Sequence, residues 1–402
     1  MTPTTGWGVT ADGSVGENTM NGYSGYRGDM MPGYESHGFK VQTPVMRDCP
    51  GSFEHVVEVV AALVENHWVR VNASCGFHVH VGNGTRMVVD SERMPLVSSK
   101  TGKPVFHSRP FSLAMLKSVA QLHWAVDPFL CHLHPPERQL NPSCLSIRQH
   151  SALALGYLNS PGDNGYPPVR ASPPAPEDPA VWKPAFPRAS EKRFPAARPA
   201  HVGERAVMRL YTSMEPYCHA LLEKPGSSPS YNVDADPIVN KCLRDGFAHI
   251  ERCQTLSELA TMLRSDATRT MNYNYGDYQR AEEELPLGKA TVEYREAAGT
   301  LNPAWAVTWA QICVGIFRFA CRAPRKLFRE VLVRLARAEG AALRGEETHY
   351  DVISFLHDVG LPAQALYIEE RLRHGDPLDH WYPCRLVFDK TLMPERAWMP
   401  GR

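Results

Sequence analysis

The run GFHVHVG at residues 76–82 restricts the possible folds of this chain more than any other stretch. It is too short for a helix, alternates in character and is closed by glycine at both ends, which is typical of a short β-strand. Side chains two residues apart in a strand lie on the same face, so His78 and His80 project together. Because valines would make a better core strand, we expect this face to belong to a functional site rather than to the core.

A second run with paired polar residues, TVEYREAAGT, lies much later in the chain. It also predicts a strand, in which Glu293 and Arg295 share one face while Val292 and Tyr294 share the other. Imidazole and carboxylate groups together bind hard or borderline cations, and a neighbouring arginine can hold a phosphate. Each pair alone is also common on ordinary solvated surfaces, so neither pair establishes a site by itself.

Composition excludes several classes of protein. The 402 residues contain 43 basic and 43 acidic side chains, a formal net charge of zero, which argues against nucleic acid or an anionic membrane as the main partner. The opening MTPTTGWGVTADGSVG lacks a basic start and an apolar core, and no apolar run approaches the roughly 18 residues of a membrane span. The 10 cysteines are spread singly without a CxxC pair, which is typical of reduced, buried thiols and predicts a soluble, cytoplasmic protein.

Periodicity and capping signals predict the main elements. We expect a strand in GFKVQTPVM near the end of the first 50 residues, and a helix over residues 53–68 with Ser52 as its N-cap. A second helix is predicted over 111–133, followed by helical segments that end near residue 264. A further helix begins with Asn302 as N-cap and Pro303 at its first position, where proline fits.

The chain is predicted to consist of two parts. Residues 1–322 form the main domain, interrupted at 160–204 by a proline-dense segment without apolar periodicity, which is typical of a disordered insertion. Residues 323–402 are expected to form a helical carboxy-terminal appendage with three amphipathic helices beyond Pro324. These helices offer a surface for a protein partner.

Taken together and in order, NASCGFHVHVG and TVEYREAAGTLNPAWAVTWAQ resemble a fungal amidoligase family. That family belongs to the carboxylate–amine ligases built like glutamine synthetase and glutamate–cysteine ligase. The segments WGVTADGSV, HGFKVQTPVM and HLHPPERQLNPSCLSIR are similar to further parts of it, so the resemblance covers about residues 7–320 without the insertion. It implies an α+β fold with a glutamine-synthetase-like antiparallel sheet and flanking helices.

The resemblance also implies a reaction and a set of site residues. ATP phosphorylates a small-molecule or peptide carboxylate, and an amine then displaces the phosphate to form an amide. Carried over by position, His78 and Glu293 would be ligands of Mg²⁺ or Mn²⁺, and His80 and Arg295 would be catalytic residues near the ATP phosphates. Arg138 would contact the nucleotide.

Two features depart from the family pattern. The family begins with a Glu-x-Glu strand that supplies metal ligands, whereas here Trp7 lies almost at the start and no such strand precedes it. Lys40 stands where the family has a glutamate, and Glu35 could replace that glutamate only with a change of register. We therefore expect either a shortened ligase that lacks its first strand, or a non-catalytic pseudoenzyme that retains the fold as a nucleotide- or protein-binding module.

A third hypothesis is a His-x-His metal hydrolase or a cupin-like protein, which needs a further ligand soon after His80. The next candidate is Asp90, in a loop-like stretch. Other polar residues allow a functional role but have simpler structural explanations. Asp12 and Ser14 are typical of a turn, and His132 and His134 lie at a helix end. Asn272 and Asn274 are interpreted as loop asparagines and Cys75 as a packed thiol.

Overall fold

The computed structural model combines helices with small antiparallel sheets, consistent with an α+β class. It describes residues 6–12, 15, 38–67, 69, 71, 75–99, 102, 105–134, 138, 141, 143–155, 243–264, 271–279, 290–343 and 348–373. The strands are β1 (Gly8–Ala11), β2 (Phe39–Gln42), β3 (Gly76–Gly82), β4 (Thr85–Met87), β5 (Phe106–Ser108), β6 (Tyr273–Asn274) and β7 (Thr291–Ala298). The helices are α1 (Pro50–Asn66), α2 (Leu113–Leu130), α3 (Ile147–His150), α4 (Ala152–Leu155), α5 (Leu243–Arg252), α6 (Leu256–Met262), α7 (Pro303–Arg322), α8 (Arg325–Leu343), α9 (Val352–Asp358) and α10 (Pro362–Arg373).

The two polar strands of the sequence pair with each other. β3 and β7 are antiparallel neighbours, and β6 adds a short third strand on the far side of β7. Two rows of directly paired residues cross the sheet: Val79, Tyr294 and Tyr273 in one, and His80, Glu293 and Asn274 in the next. Since neighbouring rows point to opposite faces, the first row packs into the core and the second forms the polar face.

A β-bulge interrupts the β3–β7 pairing beside the polar face. Phe77 pairs with Ala297 and Val79 pairs with Tyr294, so two residues of β7 lie opposite the single residue His78. Bulges re-aim side chains locally and are frequent beside active sites. Arg295 and Glu296 are the two residues of β7 that lie opposite His78, so Arg295 is at the same end of the polar face as this histidine.

The other strands form separate sheets in the described part of the chain. β1 pairs only with β2, with Lys40 opposite Thr10, and β4 pairs with β5. No backbone ladder joins the β1–β2 pair to the polar sheet among the described residues. The small sheets therefore agree with the α+β class, whereas the continuous glutamine-synthetase-like sheet remains an expectation.

Helices α2 and α7 support the polar sheet from behind. Asn302 caps α7 through a hydrogen bond from the Trp305 backbone N–H to Oδ1 (3.1 Å), and Pro303 occupies the first position, as predicted. α7 is long and apolar enough to cross a membrane by composition alone, but 61% of its most apolar stretch is buried inside the protein. It is therefore a core helix, packed against β3 and α2.

Most predicted elements are confirmed, with one shift at a helix start. α1 begins at Pro50 with Cys49 as its N-cap, so the predicted cap at Ser52 is wrong. The proline fixes the helical start three residues earlier, because its ring suits the first turn. The proline-dense segment at 160–204 lies outside the described residues.

The three predicted carboxy-terminal helices, α8 to α10, are present and share the main core. Phe328, Val331 and Leu335 of α8 belong to the same buried cluster as Leu122 and Trp124 of α2. A buried ion pair between Arg148 and Glu339 adds a polar link between these helices and the main domain.

Candidate active site

Three nitrogen donors converge on one oxygen of Glu293. Its Oε1 lies 3.2 Å from Nδ1 of His78, 3.5 Å from Nε2 of His80 and 2.8 Å from Nη1 of Arg295. Its other oxygen, Oε2, accepts a hydrogen bond from Nδ2 of Asn274 (2.8 Å). The sheet thus brings together all four residues that the sequence assigned to the two strands, and adds an asparagine from β6.

The surroundings set the charge of this cluster. Burial by itself raises the pKa of the Glu293 carboxyl, but the hydrogen bond from His78 and the charges of His80 and Arg295 outweigh burial and hold this pKa well below its usual value. Burial lowers the pKa of His78, and the charges of Arg295 and Arg138 lower it further against the opposing effect of Glu293. At neutral pH the pair is therefore a carboxylate and a neutral imidazole, the forms that bind metal ions.

A hydrogen-bond chain determines the tautomer of His80. The Thr291 hydroxyl donates its single proton to Oδ2 of Asp277 (2.8 Å), so its oxygen accepts from Nδ1 of His80 (3.2 Å). Nδ1 therefore carries a proton, and Nε2 is the atom that faces Glu293.

Two arginines lie beside the Glu293 carboxylate, one on the polar face and one behind it. Arg295 bonds Glu293 through Nη1 and the carbonyl of Ser143 through Nε (3.0 Å), which holds its guanidinium over the sheet. Arg138 lies behind it with 4% of its surface exposed and donates from Nη2 to the backbone carbonyl of Arg295 (2.9 Å). In this structure Arg138 thus supports β7 from the buried side. Among His78, His80, Glu293 and Arg295, His80 has the most exposed side chain, at 37%.

Gly76 makes room for this arrangement at the start of β3. A Cβ at this position would lie 2.5 Å from Nη2 of Arg138 and 2.9 Å from Nε2 of His78. The glycine that marks the strand end in the sequence thus allows the arginine and the imidazole to approach the backbone closely.

The donors match part of a metal coordination shell. Octahedral Mg²⁺ holds its ligands at about 2.1 Å, which puts neighbouring ligand atoms about 3 Å apart. The separation of Oε1 from Nδ1 of His78, 3.2 Å, is close to that spacing. Within the described ranges no group of three or more His, Cys, Asp or Glu residues is arranged to hold an ion unaided. A metal here would therefore need phosphate or water oxygens to complete its shell.

The side chains of the remaining described candidates have other partners than the Glu293 cluster. Asn272 is buried and bonds Asp127 and the Ile147 backbone, and His134 packs edge-on against Trp309, so both are parts of the core. Asp90 accepts two backbone bonds within its own turn, from Glu92 and Met94 (both 2.9 Å). These bonds explain Asp90 as a turn residue, whereas the metal-hydrolase hypothesis stays a prediction.

Four further residues from the sequence analysis have simpler roles or lie outside the described part of the chain. The carbonyl of Cys75 accepts from the Gly299 backbone (2.9 Å), and its side chain abuts that glycine, as expected for a packed residue. Asp12 forms a turn whose carbonyl accepts from Val15 (3.2 Å). Ser14 and Glu35 lie outside the described residues.

Sequence reasoning missed the supporting residues Thr291, Asp277 and Ser143. Thr291 and Asp277 carry no recognisable motif, since their roles follow from the pairing of distant segments. Asn274 stood out in the run MNYNYGDY, but only its pairing with Glu293 in the sheet reveals its contact with the carboxylate.

Comparison of the chain with protein-family models, with curated proteins and with solved structures gives no match.

Proposed function

We propose that this protein is an ATP-dependent carboxylate–amine ligase that forms amide bonds through an acyl phosphate. The observation that carries the proposal is the convergence of His78, His80 and Arg295 on the Glu293 carboxylate. These residues belong to the two segments whose sequences resemble the amidoligases. The resemblance and the geometry therefore support the same site.

Each residue has a role that its surroundings allow. His78 and Glu293 would hold Mg²⁺ or Mn²⁺ through a neutral imidazole and a carboxylate, together with phosphate and water oxygens. When bound, the metal would neutralise charge on the phosphates. Arg295 is held by Ser143 at the edge of the cluster, so its guanidinium can contact a phosphoryl oxygen as negative charge develops. His80, oriented by Thr291, lies at the exposed side where phosphates would enter.

The overall reaction balances without a redox partner. The substrate carboxylate attacks the γ-phosphorus of ATP, which forms an acyl phosphate and releases ADP. The amine nitrogen then attacks the acyl carbon, the carbon–oxygen bond to phosphate breaks, and the amine loses a proton. Positioning and electrostatic stabilisation are the contributions that the residues on this sheet can make to such a reaction.

A non-catalytic nucleotide-binding protein is the second candidate. The cluster offers a single carboxylate, and Arg295 already neutralises it at 2.8 Å. A metal held by so few protein ligands is bound weakly, so a nucleotide could be retained without turnover.

Calorimetric titration of the purified chain with ADP and Mn²⁺ tests both candidates. We expect binding by the parent chain, loss of binding in His78→Ala and in Glu293→Ala, and unchanged binding in His357→Ala, whose histidine is exposed on α9. A folded parent chain that does not bind would contradict both candidates. ADP release from ATP that requires both a carboxylate and an amine would distinguish the ligase from the non-catalytic protein.

A further inference from the structure

A small cavity lies on the buried side of β7, behind the candidate site. Its volume is about 20 Å³, and the residues that line it all have a polar side chain or a thiol, among them Asp127, Arg138, Asn272 and Glu296. A buried water needs about 10–15 Å³ measured in this way and two to four polar partners. The cavity therefore has room for one water-sized molecule.

Two buried groups in its wall lack a hydrogen bond within the described part of the chain. They are Nε of Arg138 and Oε1 of Glu296, in residues with 4% and 5% of their surface exposed. Buried polar atoms are almost always satisfied by protein or by ordered water, because leaving one unsatisfied costs about 1–3 kcal/mol. The two atoms do not bond each other, and both residues line the same cavity, so a molecule held there could satisfy both atoms.

The chemistry of the walls selects a neutral occupant. A cation would be repelled by the guanidinium of Arg138. An anion would meet the carboxyl group of Asp127, whose two oxygens accept hydrogen bonds from Ser146 and Asn272 and offer no donor to it. Burial and the charge of Asp127 raise the pKa of Glu296 well above its usual value, against the hydrogen bond from Tyr273 (3.2 Å). Glu296 is therefore a neutral acid with a proton to donate.

We infer that the cavity holds one water molecule, which accepts hydrogen bonds from Arg138 and Glu296 and fixes the Arg138 guanidinium against β7. The water oxygen provides the two lone pairs that these donors need, and its own protons can bond oxygen atoms of the wall. The other end of the same guanidinium bonds the carbonyl of Arg295 and lies over Gly76. Glu296 thus acts as a positioning residue for the polar face although it points into the core.

Crystal structures of the parent chain, Glu296→Gln and Glu296→Leu test this inference. We expect water density between Nε of Arg138 and residue 296 in the parent and in the Gln variant, whose amide can still bond water. In the Leu variant we expect the water to be lost and Nη2 of Arg138 to move away from the Arg295 carbonyl. An empty cavity in the parent, a direct bond between Arg138 and Glu296, or an unmoved Arg138 in the Leu variant would overturn the inference.

Nucleotide titration provides a second measurement, which rests on the proposed function. With ADP and Mn²⁺ we expect Glu296→Gln to bind like the parent and Glu296→Leu to bind about tenfold more weakly, as is typical when an outer-shell partner is removed. Equal affinity in the two variants would contradict the positioning role. If the parent itself does not bind nucleotide, the proposed function fails, while the crystal structures still decide whether the water is present. If the Leu variant does not fold, the crystal structures of the parent and of the Gln variant still show whether the water is present.

Discussion

His80 lies directly opposite Glu293 in the β3–β7 pairing, with Nε2 3.5 Å from Oε1. The pairing joins two segments that are far apart in sequence, and Asn274 of β6 extends the same row on the other side of Glu293. This row explains why the first strand carries histidines instead of core valines. Its face is a polar surface supported from behind by packed tyrosines and helices.

Replacing Gly76 should disturb the site without unfolding the protein. In Gly76→Ala the new Cβ would lie 2.5 Å from Nη2 of Arg138 and 2.9 Å from Nε2 of His78, so both side chains must shift. We expect weaker binding of ADP and Mn²⁺ by calorimetry, with unchanged circular dichroism. In the control Gly82→Ala, at the other end of β3, the nearest atom would be a Thr291 methyl group at 3.2 Å. Equal affinities for the two variants would contradict this role of Gly76.

Local patterns in the sequence correctly predicted the strands and helices that hold the site. The alternation around His78 and Glu293 predicted both strands, and Asn302 with Pro303 predicted the start of α7. These features depend on neighbours along the chain, where side-chain spacing and capping chemistry act directly.

Features that depend on distant segments were not predictable. The bulge puts both Arg295 and Glu296 opposite His78, and no local pattern marks it. Glu296 carries no motif in the sequence that marks it, yet it lines a buried cavity. Its position follows from the pairing of β7 with two remote strands, which a single sequence does not specify.

The buried imidazole of His123 should make the stability of the protein depend on pH. Its ring bonds the hydroxyl groups of Tyr294 (2.7 Å) and Tyr275 (2.8 Å), and burial lowers its pKa to about 3. In the unfolded chain the imidazole of His123 has a pKa of about 6.5. Below that pH the unfolded chain binds a proton at His123 that the folded chain does not bind. The contribution of His123 to stability is thus present above pH 6.5 and is lost as the pH falls towards 3.

Urea unfolding at pH 7 and pH 5 measures this effect. The free energy of unfolding should fall by about 2 kcal/mol more in the parent than in His123→Gln, which keeps hydrogen-bonding atoms but does not titrate. The comparison removes the contributions of other buried histidines, such as His150, whose pKa burial lowers to about 4. An equal pH dependence in both proteins would rule out this role for His123.

The buried ion pair between Arg148 and Glu339 should couple α8 to the main domain. Arg148 also donates to the Trp124 carbonyl (3.0 Å) and lies over the Trp124 ring, so its charge remains buried when Glu339 is removed. We expect Glu339→Ala to lower the free energy of unfolding by about 3–5 kcal/mol, and Arg148→Met combined with Glu339→Leu to recover most of that loss. The exposed pair Asp48–Arg318 is the control, for which Asp48→Ala should cost about 0–1 kcal/mol.

Asn274→Asp should make the protein more responsive to divalent cations. Nδ2 of Asn274 donates to Oε2 of Glu293 at 2.8 Å, while its Oδ1 accepts from the Gly276 backbone (2.9 Å). An aspartate can keep the bond to Gly276, but its second oxygen would then face the Glu293 carboxylate at hydrogen-bond distance. Two carboxylates this close cannot both ionise without a proton or a cation between them.

We therefore expect the variant to have a lower melting temperature than the parent without metal, and to gain more stability from Mn²⁺. Thermal unfolding with increasing Mn²⁺ measures both effects, since a ligand that binds the folded state raises its stability with concentration. Asn274→Leu, which removes the same hydrogen bond without adding charge, should lose stability without the larger response to Mn²⁺. If the aspartate and leucine variants gain equal stability from Mn²⁺, residue 274 adds no cation ligand and this prediction is wrong, and if neither variant nor the parent gains any, the metal role of Glu293 is wrong as well.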